Sequence, residues 1–456
     1  MKGLLLVLAA CGGAPTIPPP AVPPTQEPPP ALAPPTPQDP APKIEGNFTD
    51  AWVHGIHVLV KRNAKSEATV TQVFLRGGVR NWTAKNAGIE GIALAAAVHG
   101  GTVTLPKAAF VQHMLDLGST LESASSEDYS SLSAWSLTPK WDDTFAQLTA
   151  AFLQPALPPE QLELERQRVL ATLATEESSP DSLLDRYTQE ILYKGHPYAN
   201  RAIGTKDAVT AITADQIRAH LAMLRDPNRM VVVVVGDVDA QHVIDSVKKA
   251  FGGLSAAYHE AAMPAISPAP AKLTVFEQKL PTNYIQANVF APAISSPDFY
   301  PAWLGMSQLS TWEFKEVRTK RNLSYAPAAF LSWAQSFPMA SLYVTAVDGK
   351  ATMAVMFDQA KRLRDEPIPA SELEATKSQF VTRLFMGAED ATGQARMLGR
   401  AILLAGDWHM VQDLATRIRA VTAAQIQAWA KAHLTHFQTI VIGDPAKVDR
   451  AALEGF

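Results

Sequence analysis

One internal repeat constrains this chain more than anything else in it. Thr213-Ala214-Asp215-Gln216-Ile217 returns as Thr422-Ala423-Ala424-Gln425-Ile426, an offset of 209. Leu164-Glu165 with Arg168 returns as Leu373-Glu374 with Lys377, again at 209, and Val234-Val235-Gly236-Asp237 returns as Val441-Ile442-Gly443-Asp444 at 207. Matches in the same order at nearly one spacing require a duplicated unit of about 210 residues. The units meet at a Pro/Ala-rich stretch, Ala262-Met263-Pro264 to Pro270-Ala271. Within the first unit, Ile56–Val60 and Thr69–Leu75 read as strands, the second ending at Gly77-Gly78. Ile89–Val98 and Lys107–Leu117 read as helices, Leu121–Ala124 with Tyr129–Leu137 as an antiparallel pair, 141–153 and 158–177 as helices, and Met230–Val235 as a buried strand. The expected fold is therefore α+β in two homologous halves, each an antiparallel sheet packed with helices. An apolar share of 47% is enough to fill a core in each.

The N-terminal region has another character. Met1-Lys2-Gly3 and an apolar run to Ala10 have the shape of a secretory signal. Leu8-Ala9-Ala10-Cys11 resembles a bacterial lipobox, which implies lipidation of Cys11, the only cysteine. The lack of Asp after it, at Gly12, implies an outer-membrane lipoprotein facing the periplasm. Residues 14–43 hold 14 of the 34 prolines and no glycine, so they form a spacer that spans roughly 90 Å at full stretch. The expected organisation is a leader at 1–10, Cys11 and a tether to residue 43, a first unit at 44–262, a linker at 263–272 and a second unit at 273–456. A net charge of −4 without a basic block gives no reason to expect a nucleic-acid partner. No apolar run reaches the roughly 18 residues of a membrane-spanning helix.

Several phrases together resemble the insulinase/pitrilysin zinc-peptidase family, in particular its mitochondrial-processing-peptidase-like branch. They are Phe74-Leu75-Arg76-Gly77-Gly78, Gly88-Ile89-Glu90-Gly91, Gly195-His196-Pro197-Tyr198 with Ile203-Gly204-Thr205, and Val231 to Asp237. The resemblance runs over roughly residues 47–445 and implies two halves closing as a clamshell. The family signature is H-x-x-E-H on one helix, in which two imidazoles at i and i+4 hold zinc and the Glu activates bound water. The matching window here is Gly91-Ile92-Ala93-Leu94-Ala95, and none of the eleven histidines falls in H-x-x-E-H or H-E-x-x-H. The family's third ligand, a Glu, matches Thr172, with Glu176 one turn further on as a weak substitute. A relocated metal site among His99, His113, Glu122, Glu127 and Asp128 lacks the required i, i+4 pairing. The pairs His54/His57 and His433/His436 have no third partner. No catalytic residue, metal ligand or cofactor is therefore expected in this chain.

Phe314-Lys315-Glu316-Val317-Arg318-Thr319-Lys320-Arg321-Asn322-Leu323-Ser324-Tyr325 resembles the family's second-half signature. The resemblance implies that Arg318 and Tyr325 face the zinc site and grip substrate near the scissile bond. Where the family often has a Gly-rich turn before this motif, the chain has Leu309-Ser310-Thr311-Trp312. Half an active site implies a partner. The expected function is the non-catalytic subunit of a heterodimeric zinc metalloprotease, inactive alone, with a zinc-bearing homologous subunit cleaving peptides or unfolded proteins. The alternative is a structural or peptide-binding envelope lipoprotein without a proteolytic role.

Overall fold

A computed structural model describes residues 39–333 and 335–456; the expected leader and lipidated Cys11 lie outside the described residues. The first half contains strands β1 (Lys43–Glu45), β2 (Phe48–Val53), β3 (Ile56–Arg62), β4 (Ala68–Arg76), β5 (Thr120–Ser125), β6 (Tyr129–Leu137) and β7 (Met230–Gly236). Its helices are α1 (Ile89–His99), α2 (Lys107–Leu117), α3 (Trp141–Leu153), α4 (Pro159–Glu177), α5 (Pro180–Leu192), α6 (Lys206–Ala211), α7 (Ala214–Leu224) and α8 (Ala240–Phe251). The second half contains β8 (Lys272–Glu277), β9 (Asn283–Phe290), β10 (Ala328–Leu331), β11 (Met339–Ala346) and β12 (Gln438–Gly443). With these strands go α9 (Phe299–Glu313), α10 (Gly349–Asp365), α11 (Ala370–Gly387), α12 (Ala391–Ala405), α13 (His409–Ala420) and α14 (Ala423–His433).

The sheets run in the orders β1-β2-β3-β7-β4-β6-β5 and β10-β11-β9-β12-β8. Strand for strand, β3-β7-β4-β6-β5 corresponds to β8-β12-β9-β11-β10. Every pairing is antiparallel except one equivalent parallel pair in each sheet, β3 with β7 and β8 with β12. The repeated phrases now have physical causes. Thr213/Gln216 and Thr422/Gln425 each form a capping box, in which the Thr hydroxyl accepts from the Gln amide and the Gln side chain accepts from the Thr amide. Gly236 and Gly443 end β7 and β12 against a neighbouring strand. A Cβ at either would lie 2.2 Å from a side chain, Thr69 Oγ1 in the first case and Asn283 Oδ1 in the second.

Each half covers its sheet with its own helices on one face and with a helix of the other half on the opposite face. The alternate valines of β7 serve two cores. Val232 and Val234 join the first half's main core, whereas Val231, Val233 and Val235 pack with Ala395, Leu398 and Ile402 of α12. In β12, Val441 faces its own half, and Ile440 and Ile442 pack with Leu183 and Leu184 of α5. That two-sided burial is why both strands are continuous apolar runs rather than alternating ones. Polar contacts follow the exchange. Arg400 donates to the Tyr129 hydroxyl at 2.7 Å, Trp408 Nε1 to Asp50 at 2.8 Å, and the Tyr343 hydroxyl to Asp181 at 2.6 Å. Tyr187 stacks on Phe276 at 3.7 Å.

The segment joining the halves is less of a free linker than its composition suggests. Met263 and Ile266 are buried in the first half's core, and β8 begins at its last residue, Lys272. At the other end, Lys43 already pairs in β1.

The tightness of the exchange can be tested at Gly399, where a Cβ would lie 2.1 Å from the Phe74 ring. In an exposed helix Gly→Ala stabilises by about 1 kcal/mol. Here the overpacking is expected to reverse the sign, so Gly399→Ala lowers stability by about 1–3 kcal/mol in denaturant titration.

Candidate functional site

The degenerate metal helix is well formed. α1 starts at Gly88, whose φ of 96° suits glycine, and buries every residue except Gly91, Ala95 and His99. Those three fall at i, i+4 and i+8, one open stripe along the helix. A Cβ at Gly91 would meet only Ser125 Cβ, at 3.8 Å, so sterics do not demand the glycine. The helix's own carboxylate, Glu90, turns the opposite way into the core. It accepts hydrogen bonds from Asn81 at 2.8 Å, from His220 at 2.9 Å and from Ser130. Leu94, at the place of the catalytic base, is buried.

The third ligand position fares no better. Thr172 is exposed and bonds back to the Arg168 carbonyl, and Glu176 is occupied by a two-pronged contact with Arg201. Hydrogen and aliphatic groups at 91 and 95 supply no donors, so the residues present do not fit zinc. The other candidates are dispersed. His99 bonds Glu165 at 3.0 Å, Glu127 accepts from Gln189, Asp128 accepts from Tyr198 and from the Ser336 amide, and Glu122 points to solvent. His57 bonds Asp50 and His54 bonds the Leu254 carbonyl. Among the described residues no group of three or more His, Cys, Asp or Glu is placed to hold a metal.

The Gly195–Thr205 phrase works as a strut between halves. Tyr193 donates to the Phe337 carbonyl at 2.6 Å, His196 meets the Pro264 carbonyl at 3.1 Å, and Asp128 collects both the Tyr198 hydroxyl and the Ser336 amide.

Arg318 and Tyr325 are brought together. The four residues standing in place of a Gly-rich turn, Leu309 to Trp312, lie inside α9 and continue its helix. α9 then widens into a π-helical segment, Phe314–Thr319, closed by Lys320 N donating to Lys315 O at 2.9 Å. The chain reverses at Asn322, which takes a φ of 51°. This return lays Tyr325 over Arg318, with the guanidinium carbon 4.1 Å from its ring centroid. The Phe314 ring centroid lies 4.8 Å from the same carbon. Cation–π contacts of this kind are worth about 0.5–1 kcal/mol each at exposed sites, enough to favour one arginine rotamer. Tyr325 is 78% exposed and Phe314 47%, and Arg318 makes no ion pair among the described residues. Glu316, the nearest carboxylate in sequence, is instead taken by Lys320 and Arg321. The arrangement holds a half-buried cation beside an exposed phenol, both able to donate to a carbonyl or carboxylate. The resemblance to the family's second-half signature marked the pair; the part played by Phe314 went unnoticed, since a lone aromatic near an arginine carries no signal until the π-turn brings their side chains together.

Immediately before this segment, Glu313 is fully buried with neither carboxyl oxygen bonded, and burial holds its pKa well above the usual glutamate value. Below the usual value both folded and unfolded chains hold this proton. Above it only the folded chain does, so this group costs about 1.4 kcal/mol of stability per pH unit until its folded pKa is passed. Stability of Glu313→Gln relative to wild type should therefore climb from pH 4.5 upward in denaturant titrations. On α1, Gly91→His and Ala95→His should each change stability by less than about 1 kcal/mol, because both positions are only half-buried. Leu94→Glu should cost roughly 2–5 kcal/mol by burying a carboxyl, read as a fall in Tm.

Comparison with known proteins agrees with this geometry. Residues 57–206 match the model described as insulinase (peptidase family M16), and residues 211–380 match the model described as peptidase M16 inactive domain. An uncharacterized zinc protease of Mycobacterium leprae is 26% identical over 59% of this chain, a match that reaches less than two thirds of that protein's length, 63%. The beta subunit of the mitochondrial-processing peptidase of Saccharomyces cerevisiae is 20% identical over 86% of this chain and 89% of its own. A crystal structure described as a peptidase M16 inactive domain from Pseudomonas fluorescens superposes with a TM-score of 0.80 at 18% identity, covering 88% of this chain and 99% of that one. With both family models matched in order and the same two-half fold, this chain belongs to the insulinase (M16) peptidase family.

Proposed function

We propose that this chain is the metal-free subunit of a two-chain zinc peptidase, tethered to the outer membrane through Cys11 and gripping peptide with Arg318 and Tyr325. The observation that carries the reading is the half-buried Arg318 guanidinium, in cation–π contact with both Phe314 and Tyr325 and free of any ion pair among the described residues. A cation held in one orientation at a surface without a counter-charge is suited to a ligand's carbonyl or carboxylate. The open stripe of α1, with no donors at Gly91 and Ala95, supports placing the metal in another chain. Similar proteins named as a subunit of the mitochondrial-processing peptidase favour an assembly of more than one chain.

In the assembled enzyme the homologous partner would supply zinc and base, and this chain would hold the peptide against them. The test is to isolate the protein from its native membrane with its partner and assay peptide hydrolysis. Arg318→Ala and Tyr325→Phe are each expected to lower kcat/KM by about 10- to 100-fold, the worth of one charge-assisted or transition-state hydrogen bond, with the complex intact. Unchanged hydrolysis in both variants would favour a structural envelope lipoprotein instead.

A further inference from the structure

A pocket of about 530 Å³ opens in the second half, at the far end of α9 from Arg318. The loop from Ile294 to Pro297, the first turn of α9, the end of α12, one side of α13 and the start of α14 enclose it. Its wall therefore belongs to one half, and roughly 25 Å of helix separates it from the Arg318 contact. A volume of this order suits a small molecule.

The wall divides by chemistry. Ile294, Met410 and Val421 are buried and, with Pro297 and Pro301, give an apolar surface. Its polar groups are mostly donors. Arg417 reaches the pocket from α13, its guanidinium carbon 5.9 Å from the Tyr300 ring centroid. Gln425, on the first turn of α14, commits its Oε1 to the capping box with Thr422, and its side-chain nitrogen bonds no protein group among the described residues. Tyr300, on the first turn of α9, is 7% exposed and its hydroxyl has no hydrogen-bond partner. A buried phenol ordinarily has one, so this group is a donor held in reserve at the pocket wall. α9 and α14 both begin here, and the positive ends of their dipoles add to the donors.

Acids are few at this site and already engaged. Asp407 gives its Oδ1 to both the ring Nδ1 and the backbone amide of His409, at 2.7 and 2.9 Å. Asp413 meets Arg417 only at 3.5 Å, with the two side chains 58% and 49% exposed. An exposed pair of that length contributes little, so a ligand's carboxylate can share the guanidinium or displace Asp413 from it.

We propose that this pocket binds a small carboxylate with an apolar body, the chemistry shared by an N-acylated apolar amino acid and the C-terminal residue of a peptide. In it the carboxylate accepts from Arg417 and Gln425, the Tyr300 hydroxyl gains its missing acceptor, and the apolar side chain lies on Ile294, Met410 and Val421. The site involves neither α1 nor the Arg318 segment, so it stands apart from the proteolytic reading.

Isothermal titration of the purified full chain with N-acetyl-leucine and with N-acetyl-leucinamide separates the carboxylate from the rest of the ligand. The acid is expected to bind about tenfold tighter than the amide. Arg417→Gln should weaken the acid about tenfold and Tyr300→Phe about three- to tenfold. Tyr300→Phe removes only an unbonded hydroxyl, so the Tm of the unliganded chain should not fall, which separates lost binding from lost folding. Tyr325→Ala should leave the affinity unchanged. N-acetyl-alanyl-alanyl-leucine then distinguishes the two sources: tighter binding than N-acetyl-leucine assigns the site to peptide C-termini, and equal or weaker binding assigns it to free acids. Equal affinity for acid and amide, no binding of either, or insensitivity to both Arg417→Gln and Tyr300→Phe would overturn the assignment.

Discussion

The reciprocal exchange of α5 and α12 is the contact on which the rest of the molecule depends. Each sheet is apolar on both faces, and each half has helices for only one of them. The second face is covered by the other half, so neither unit is complete alone. The consequence for function is geometric. The α1 stripe and the Arg318 contact sit on separate halves, which the exchange packs together. The Tyr193–Thr205 strut, with Asp128 receiving both Tyr198 and the Ser336 amide, ties the same halves a second time.

Within that frame the two halves have diverged chemically while keeping their folds. In the first half α1 has a glycine N-cap and a half-buried stripe, with hydrogen and methyl at Gly91 and Ala95, the positions that the resemblance matches to the imidazoles of H-x-x-E-H. The second half places a cation beside a phenol, Arg318 and Tyr325. The π-helical segment is where that contact is built. One wider turn after Glu313 brings the Phe314 ring over Arg318, and the αL residue Asn322 returns the chain so that Tyr325 meets the same guanidinium. The unbonded Glu313 carboxyl just before it is a cost the fold carries at this junction.

Much of this was legible in the sequence, for identifiable reasons. The repeat showed itself through capping boxes and strand-ending glycines, which are local devices with fixed spacing. The helices at 107–117 and 141–153 were bounded by Gly118 and by the end of the β6 pattern, and the absence of ligands at Gly91, Ala95 and Thr172 could be read from identity alone. Helix exchange could not be read. Periodicity shows that α5 and α12 each have an apolar face, but nothing local says which sheet that face meets. The continuous valines of β7 did signal a second covering layer without revealing its source. The parallel pairs β3–β7 and β8–β12 were hidden likewise, since register and direction across long connections are set by packing. The Phe314 stack needed the π-turn, which has no compositional mark.

The central claim is that hydrolysis and substrate grip are divided between two homologous chains, with the metal in the other one. Zinc stoichiometry of the native membrane complex, measured by elemental analysis alongside native mass spectrometry, tests it most directly. The account predicts one zinc per pair of chains in a peptide-hydrolysing complex, and none retained by this chain once separated. One zinc per copy of this chain, with hydrolysis by the isolated polypeptide, would contradict it.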